Sequence, residues 1–166
     1  MMAQIYEARD FALKAHGDQK YNGDPYGVHL FAVVQVARDF DCTNAQWMAA
    51  FLHDVLEDTS ATSDQILDLF GEDVLRIVYA CTGEGEDRRE RNACIYRRVA
   101  EHPPAALVKL ADRIANVEAA QSGDYHWRRY RDELPAFRAA IRPHVPAAMW
   151  DRLERHFSPN PSPEAV

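Results

Sequence analysis

FLHDVLEDT, Phe51 to Thr59, sets a histidine beside an aspartate and follows them one helical turn later with two more acids. Its apolar members Phe51, Leu52, Val55 and Leu56 recur at helical spacing, which predicts a helix packed by one face against its neighbours. On such a helix His53 and Glu57 are i,i+4, as are Asp54 and Asp58, and Asp54 and Glu57 are i,i+3, so the polar side chains converge at one end. Carboxylates crowded at a buried helix end are costly unless a cation neutralises them. A solvated, polar last turn is the plainer explanation of the same pattern. Against it, Glu57 and Asp58 fall where this helix is expected to end, and a helix C-terminus disfavours negative charge. The stretch points to a divalent metal that activates water.

Outward from this motif, helical periodicity dominates and alternating strand-like runs are scarce, which predicts an all-α bundle of about eight helices. A first helix is expected over about Met2 to Ala15, followed by the turn-rich loop GDQKYNGDP, and Pro25 suits the first turn of a second helix reaching about Asp39. Thr43 with Gln46 is a capping-box signature for the third helix, which carries the motif and ends near Asp58; Thr62 with Gln65 repeats it for a short helix stopped by Gly71. Further helices are expected over Glu72–Cys81, Arg88–Ala100, Ala105–Gln121, His126–Ile141 and Pro146–His156. Residues 1–157 are expected to form one domain, and residues 158–166, SPNPSPEAV with three prolines, a disordered tail.

The charge balance excludes some partners. With 19 Lys+Arg against 26 Asp+Glu the formal charge is −7, which does not suit a protein wrapping a nucleic acid polymer. A small phosphorylated ligand is compatible, because a metal and a few local cations dominate at short range. No apolar run is long enough for a membrane span and the start lacks a secretory pattern, so a cytoplasmic protein is expected. Cys42, Cys81 and Cys94 form no CxxC pair, which argues against a disulfide framework and against thiolate zinc.

One short motif cannot saturate a metal. His29 shares a helical stripe with Ala32, Val33 and Val36; alone, such a histidine is more often a hydrogen-bonded core residue than a ligand. Asp112 lies in LVKLADRIANV among Leu110, Ala111 and Ile114, with Asn116 one turn later, and a satisfied buried Asp–Asn or Asp–Arg network is the alternative there. Together His29, His53, Asp54 and Asp112 form a two-His, two-carboxylate set suited to manganese, iron(II), zinc or magnesium. Glu57 and Asp58 then orient or deprotonate the attacking water, or protonate a leaving oxygen.

The succession PYGVHL, FLHDVLEDT and VKLADRIANV resembles the HD-domain metal-dependent phosphohydrolases, in particular the hydrolase domain of the RelA/SpoT enzymes and the stand-alone small alarmone hydrolases. The likeness runs from the AHGDQK end of the first helix to about Asn116, in the same order. The resemblance implies that His29, His53, Asp54 and Asp112 hold one manganese ion and that Glu57 and Asp58 are the catalytic acid/base pair. It implies removal of the 3′-pyrophosphate from ppGpp or pppGpp, giving GDP or GTP. Asn116 matches the asparagine that meets the sugar, and Lys109 belongs to the same motif, where an ion pair on the helix surface is the other reading.

The departures bear on substrate choice. Family members commonly read Q-x-R-K-x-G-x-P-Y before the first histidine; here the segment is Gln19, Lys20, Tyr21, Asn22, Gly23, Asp24, Pro25, Tyr26, one residue shorter and without the arginine, and Leu30 replaces the usual proline. Lys20 supplies charge in this reading and Tyr21 stacks on a base. The arginine-rich stretch Arg88–Arg98 offers Arg88 and Arg91 as a pyrophosphate clamp, or else a solvated face balanced by Glu84, Glu86, Asp87 and Glu90. Tyr130 and Arg131 are lesser candidates. Another nucleotide, such as NADPH or a deoxynucleotide, is the alternative substrate, and a non-catalytic nucleotide-binding module the alternative class. A homo-oligomer is compatible with everything above.

Overall fold

Ile5, Ala8 and Ala12, buried along one side of α1 (Met2–His16), begin the core. The structure is a computed structural model and describes residues 2–158; of the expected tail, residues 159–166 lie outside the described residues. After α1 the chain forms a miniature antiparallel ribbon, β1 (Lys20–Tyr21) and β2 (Asp24–Pro25), with Tyr21 opposite Asp24. The turn-rich loop expected here contains a short hairpin. Asn22 and Gly23 at the tip have φ of 52° and 92°, the pair of positive values that a two-residue hairpin turn requires.

The remaining helices are α2 (Tyr26–Arg38), α3 (Asn44–Leu52), α4 (Val55–Asp58), α5 (Ser63–Phe70), α6 (Glu72–Cys81), α7 (Arg88–Glu101), α8 (Ala105–Ala119), α9 (Tyr125–Ile141) and α10 (Ala147–Glu154). The described residues thus hold ten α-helices in an all-α bundle, one more than the nine ranges expected, because the expected third helix is two. Both capping boxes form: Gln46 N–H donates to Thr43 Oγ1 at 3.2 Å while Thr43 N–H donates to Gln46 Oε1 at 2.9 Å, and Thr62 and Gln65 repeat the exchange. Each exchange satisfies two otherwise unpaired amides and fixes where α3 and α5 begin.

α2 and α8 pack side by side, with α3 and α6 against them. α8 is buried along most of its length, from Ala105 and Leu107 through Leu110, Ala111 and Ile114 to Val117, so it is the axis around which the other helices gather. α9 packs on α7 and α8, and α10 on α8. Arg152 of α10 fastens this end, bonding Asp39 at 2.8 Å and Glu118 at 2.8 and 3.0 Å. No helix among the described residues is long and apolar enough to cross a membrane.

Candidate metal centre and cleft

The opening motif does not continue one helix. α3 ends at Leu52, His53 caps it, and Asp54 takes φ −107° and ψ −3° before α4 resumes for one turn. That bridge conformation interrupts the α-helical ladder, which corrects the expectation of a helix running to Asp58. Glu57 and Asp58 therefore sit in the first turn of a short helix and not at the end of a long one. The dipole penalty inferred from the sequence does not arise, and the case for a cation rests on buried donors instead.

Those donors converge from three places. His53 is fully buried, and its Nδ1 lies 2.9 Å from the Ala50 carbonyl; donating there leaves Nε2 as the lone-pair nitrogen. His53 Nε2 faces Asp54 Oδ2 at 2.9 Å and Asp112 Oδ1 at 3.7 Å, and His29 Nε2 on α2 faces the same two oxygens at 3.8 and 3.5 Å. One ligand atom each from His29, His53 and Asp54 lies within 4.8 Å of the others. The break at Asp54 thus brings consecutive residues to one point.

A metal fits this constellation. His53 Nε2 is buried without a well-formed hydrogen bond, an omission that a buried polar atom rarely tolerates unless a ligand satisfies it. Imidazole nitrogens with carboxylate oxygens suit a divalent cation. The charge pattern agrees. Burial alone pushes the His53 pKa down, but the carboxylates of Asp54 and Asp112 outweigh it and raise it to about 10. Burial opposes the ionised form of Asp112 too, yet Lys109 and the two histidines hold its carboxyl well below the usual range. The cluster draws positive charge inward.

Lys109 is part of that balance rather than a surface residue. Its Nζ donates to Asp112 Oδ2 at 3.0 Å, with the side chain 15% exposed. Asn116 Nδ2 donates to Asp112 Oδ1 at 2.5 Å, and Asn116 Oδ1 accepts from the Tyr21 hydroxyl. The buried Asp–Asn network weighed from sequence therefore exists, in the same place as the candidate ligand. Tyr21 also stacks on the His29 ring at 4.6 Å.

Tyr26 went unassigned in the sequence although it lies i−3 from His29 on the same helix face. Its hydroxyl donates to Asp54 Oδ2 at 2.5 Å and reaches Asp58 Oδ2 at 3.3 Å, while its ring stacks on His16 at 4.1 Å. It thereby couples a candidate ligand to the acid pair. Glu57 Oε1 accepts from the Gly83 amide. Desolvation raises the Glu57 pKa against the opposing pull of that amide and of Lys109.

Over these groups lies a cavity of about 250 Å³ whose far wall is basic, formed by Arg88 and Arg91 of α7, Arg113 of α8 and Arg129 of α9. It adjoins a hollow of about 780 Å³ past Glu57, Asp58 and Arg91, and another of about 550 Å³ past Tyr21, His29 and Asn116. Arg88 is already engaged, with Nε and Nη2 donating to Glu133 at 2.5 and 3.0 Å; Arg113 Nη2 reaches the same carboxylate at 3.0 Å. Arg91 Nη1 makes long contacts to the Gly85 and Glu86 carbonyls at 3.3 and 3.5 Å. Lys20 is exposed and not among the cavity's lining residues, and Arg131 pairs with Asp132 at the surface, whereas Tyr130 is buried in the cavity wall beneath the Arg113 guanidinium. Arg113, Arg129 and Glu133 were not singled out in the sequence; the ion pair of Arg113 with Glu133 joins α8 to α9 across 20 positions, beyond the reach of helical spacing.

A model of the HD domain matches residues 8–136. The chain is 36% identical over 121 residues to an Aquifex aeolicus guanosine-3′,5′-bis(diphosphate) 3′-pyrophosphohydrolase, covering 69% of this chain and 17% of that protein. It is 34% identical over 125 residues to the Danio rerio guanosine-3′,5′-bis(diphosphate) 3′-pyrophosphohydrolase MESH1, covering 69% of this chain and 68% of that one. The chain thus spans about a sixth of the length of the longer relatives it matches. A solved structure of a metazoan ortholog of SpoT, described as hydrolysing ppGpp and playing a role in starvation responses, superposes with a TM-score of 0.80 at 25% identity, covering 93% of this chain and 94% of that one. The chain belongs to the HD-domain family.

Proposed function

We propose that this protein is a metal-dependent phosphohydrolase whose substrate is ppGpp or pppGpp and whose products are GDP or GTP and pyrophosphate. The observation that carries the reading is the convergence of His29, His53, Asp54 and Asp112 on one point, with an unsatisfied buried Nε2 among them and a basic cleft above. These four residues are the proposed ligands, and the proposed ion is a single Mn2+. When bound, such an ion acidifies water and polarises a phosphoryl oxygen. The similarity to proteins named as ppGpp 3′-pyrophosphohydrolases supports the substrate.

The chain's own groups have separable tasks in this reading. Tyr26 holds Asp54 and Asp58 in fixed relation through one hydroxyl. Glu57, its carboxyl held by the Gly83 amide and its pKa raised, suits a group that carries a proton to the departing ribose oxygen as the bond from that oxygen to phosphorus breaks. Asp58 faces the same cavity and orients the incoming water. Arg88, Arg91 and Lys109 stabilise charge on the pyrophosphate, and Asn116 and Tyr21 meet the nucleoside.

Incubation with ppGpp and Mn2+ tests the reading: GDP and pyrophosphate in equal amounts, abolished by chelator, are expected. The Gln19–Tyr26 segment favours a second reading, because it lacks the family's arginine and its Lys20 stands away from the cleft. A panel containing NADPH and deoxynucleotides decides between them, since cleavage of one of these with ppGpp untouched rejects the alarmone substrate. Turnover that is the same in wild type and in Glu57→Ala rejects catalysis altogether.

A further inference from the structure

Arg98 is the most deeply buried arginine of the arginine-rich stretch, 6% exposed, and it is not among the residues that line the cleft. Its Nη1 donates to the Thr82 carbonyl at 2.6 Å, and its Nη2 to Glu84 Oε1 at 2.5 Å and to the Tyr79 hydroxyl at 2.6 Å. The guanidinium also lies 3.8 Å from the centre of the Tyr79 ring. Both residues flanking Gly83 are therefore gripped by one fork of donors, a task that suits arginine's planar, multiply donating head.

Gly83, between them, aims its amide at Glu57 Oε1. The loop has no slack there. A Cβ on Gly83 would stand 2.8 Å from Arg91 Cβ and 2.9 Å from the Arg91 carbonyl oxygen, so the backbone is pressed against α7 at Arg91 and held by Arg98 two turns further along the same helix. α4, which carries Glu57, is a single turn and has little rigidity of its own.

We infer that Arg98 is a positioning residue for the acid/base chemistry: it clamps Thr82 and Glu84 so that the Gly83 amide holds the Glu57 carboxylate at the cleft. The inference rests on the proposed role of Glu57. It gives the arginine stretch two functions, with Arg88 and Arg91 facing the ligand and Arg98 holding the loop that aims the acid.

A double-mutant cycle on the full chain tests it. Arg98→Gln is expected to lower kcat on ppGpp with Mn2+ about tenfold with KM changed less than about twofold, and Arg98→Lys to recover part of the loss. In a Glu57→Gln background the same Arg98→Gln change is expected to have no further effect, whereas a general packing defect lowers both backgrounds by the same factor and overturns the inference. Gly83→Ala, which leaves Arg98 intact, is expected to give the same non-additive loss and decides the matter if Arg98→Gln does not fold. Amide hydrogen exchange at Gly83 supplies a readout apart from turnover: faster exchange in Arg98→Gln is expected, and unchanged exchange overturns the clamp. If wild type turns over none of the nucleotides, the substrate reading falls, and the Gly83 exchange alone decides whether Arg98 orders the loop.

Discussion

The two walls of the cleft are built on opposite principles. On the proposed metal side, His29 and Asp112 come from buried helix positions and His53 and Asp54 from the break between α3 and α4, and each has a neighbour that holds it: Tyr21 stacks on His29, the Ala50 carbonyl faces His53, Tyr26 bonds Asp54, and Lys109 and Asn116 bond Asp112. On the basic side Arg88, Arg91 and Arg129 stand on half-buried helix faces and Arg113 is buried, and two of the four, Arg88 and Arg113, are already committed to Glu133. The acidic wall has its side chains held in place, whereas the basic wall stores its charge in pairs that the proposed phosphorylated substrate would compete for. Fixed geometry matters where bonds change. Exchangeable ion pairs matter where a polyanion must enter and leave.

The largest effect expected from breaking this contrast is on the acidic wall. Asp54→Ala should reduce turnover to background and remove bound manganese from the purified protein, measured by metal analysis beside the activity assay. Glu57→Gln should keep the metal but lower kcat by about 100-fold or more, the usual scale for a positioned proton-transfer group. Retained metal with lost turnover separates the ligands from the acid.

Glu133→Gln probes the basic wall. It leaves the Arg113 guanidinium, 4% exposed, without its anionic partner, and should cost about 2–3 kcal/mol in urea unfolding. Freed arginines should also lower KM for ppGpp a few-fold with kcat little changed. The pH dependence has a definite sign. Burial acts to raise the Glu133 pKa, but Arg88 and Arg113 outweigh it and lower it below its ordinary value. Its contribution is fully present above the unfolded pKa and is lost as pH falls through the folded one. The stability gap between wild type and Glu133→Gln should therefore narrow on acidification below the ordinary carboxylate range. Lys20→Ala should do least, within about 0.5 kcal/mol of wild type and with KM within about twofold, because Lys20 is exposed and off the cleft. A larger KM change would bring the hairpin into substrate contact.

The same contrast explains what could be read from the sequence. Each metal-side residue sits on an apolar helical stripe, and a polar group there is conspicuous because burying it is costly; His29 and Asp112 stood out for that reason. The capping boxes at Thr43 and Thr62 are local chemistry within four residues, and both formed. The break at Asp54 was hidden because Phe51, Leu52, Val55 and Leu56 satisfy helical spacing whether or not the ladder is continuous. The ribbon at residues 20–25 is too short for any period to show, though Asn22–Gly23 carried the turn signal. Arg113 and Glu133 are 20 positions apart, and no local pattern announces which acid neutralises which base across a bundle. The balanced face weighed for the arginine stretch holds for Arg98, which pairs with Glu84, but the partner of Arg88 is Glu133 on another helix, which no local pattern named.

The stacking of Tyr21 on His29 has an optical consequence. A phenol ring 4.6 Å from an imidazole of the proposed cation site is a built-in chromophore whose electronic surroundings would change on binding of an ion by that imidazole. Near-ultraviolet difference spectra of wild type against Tyr21→Phe, recorded while manganese is added, would follow loading of the centre in real time without any label.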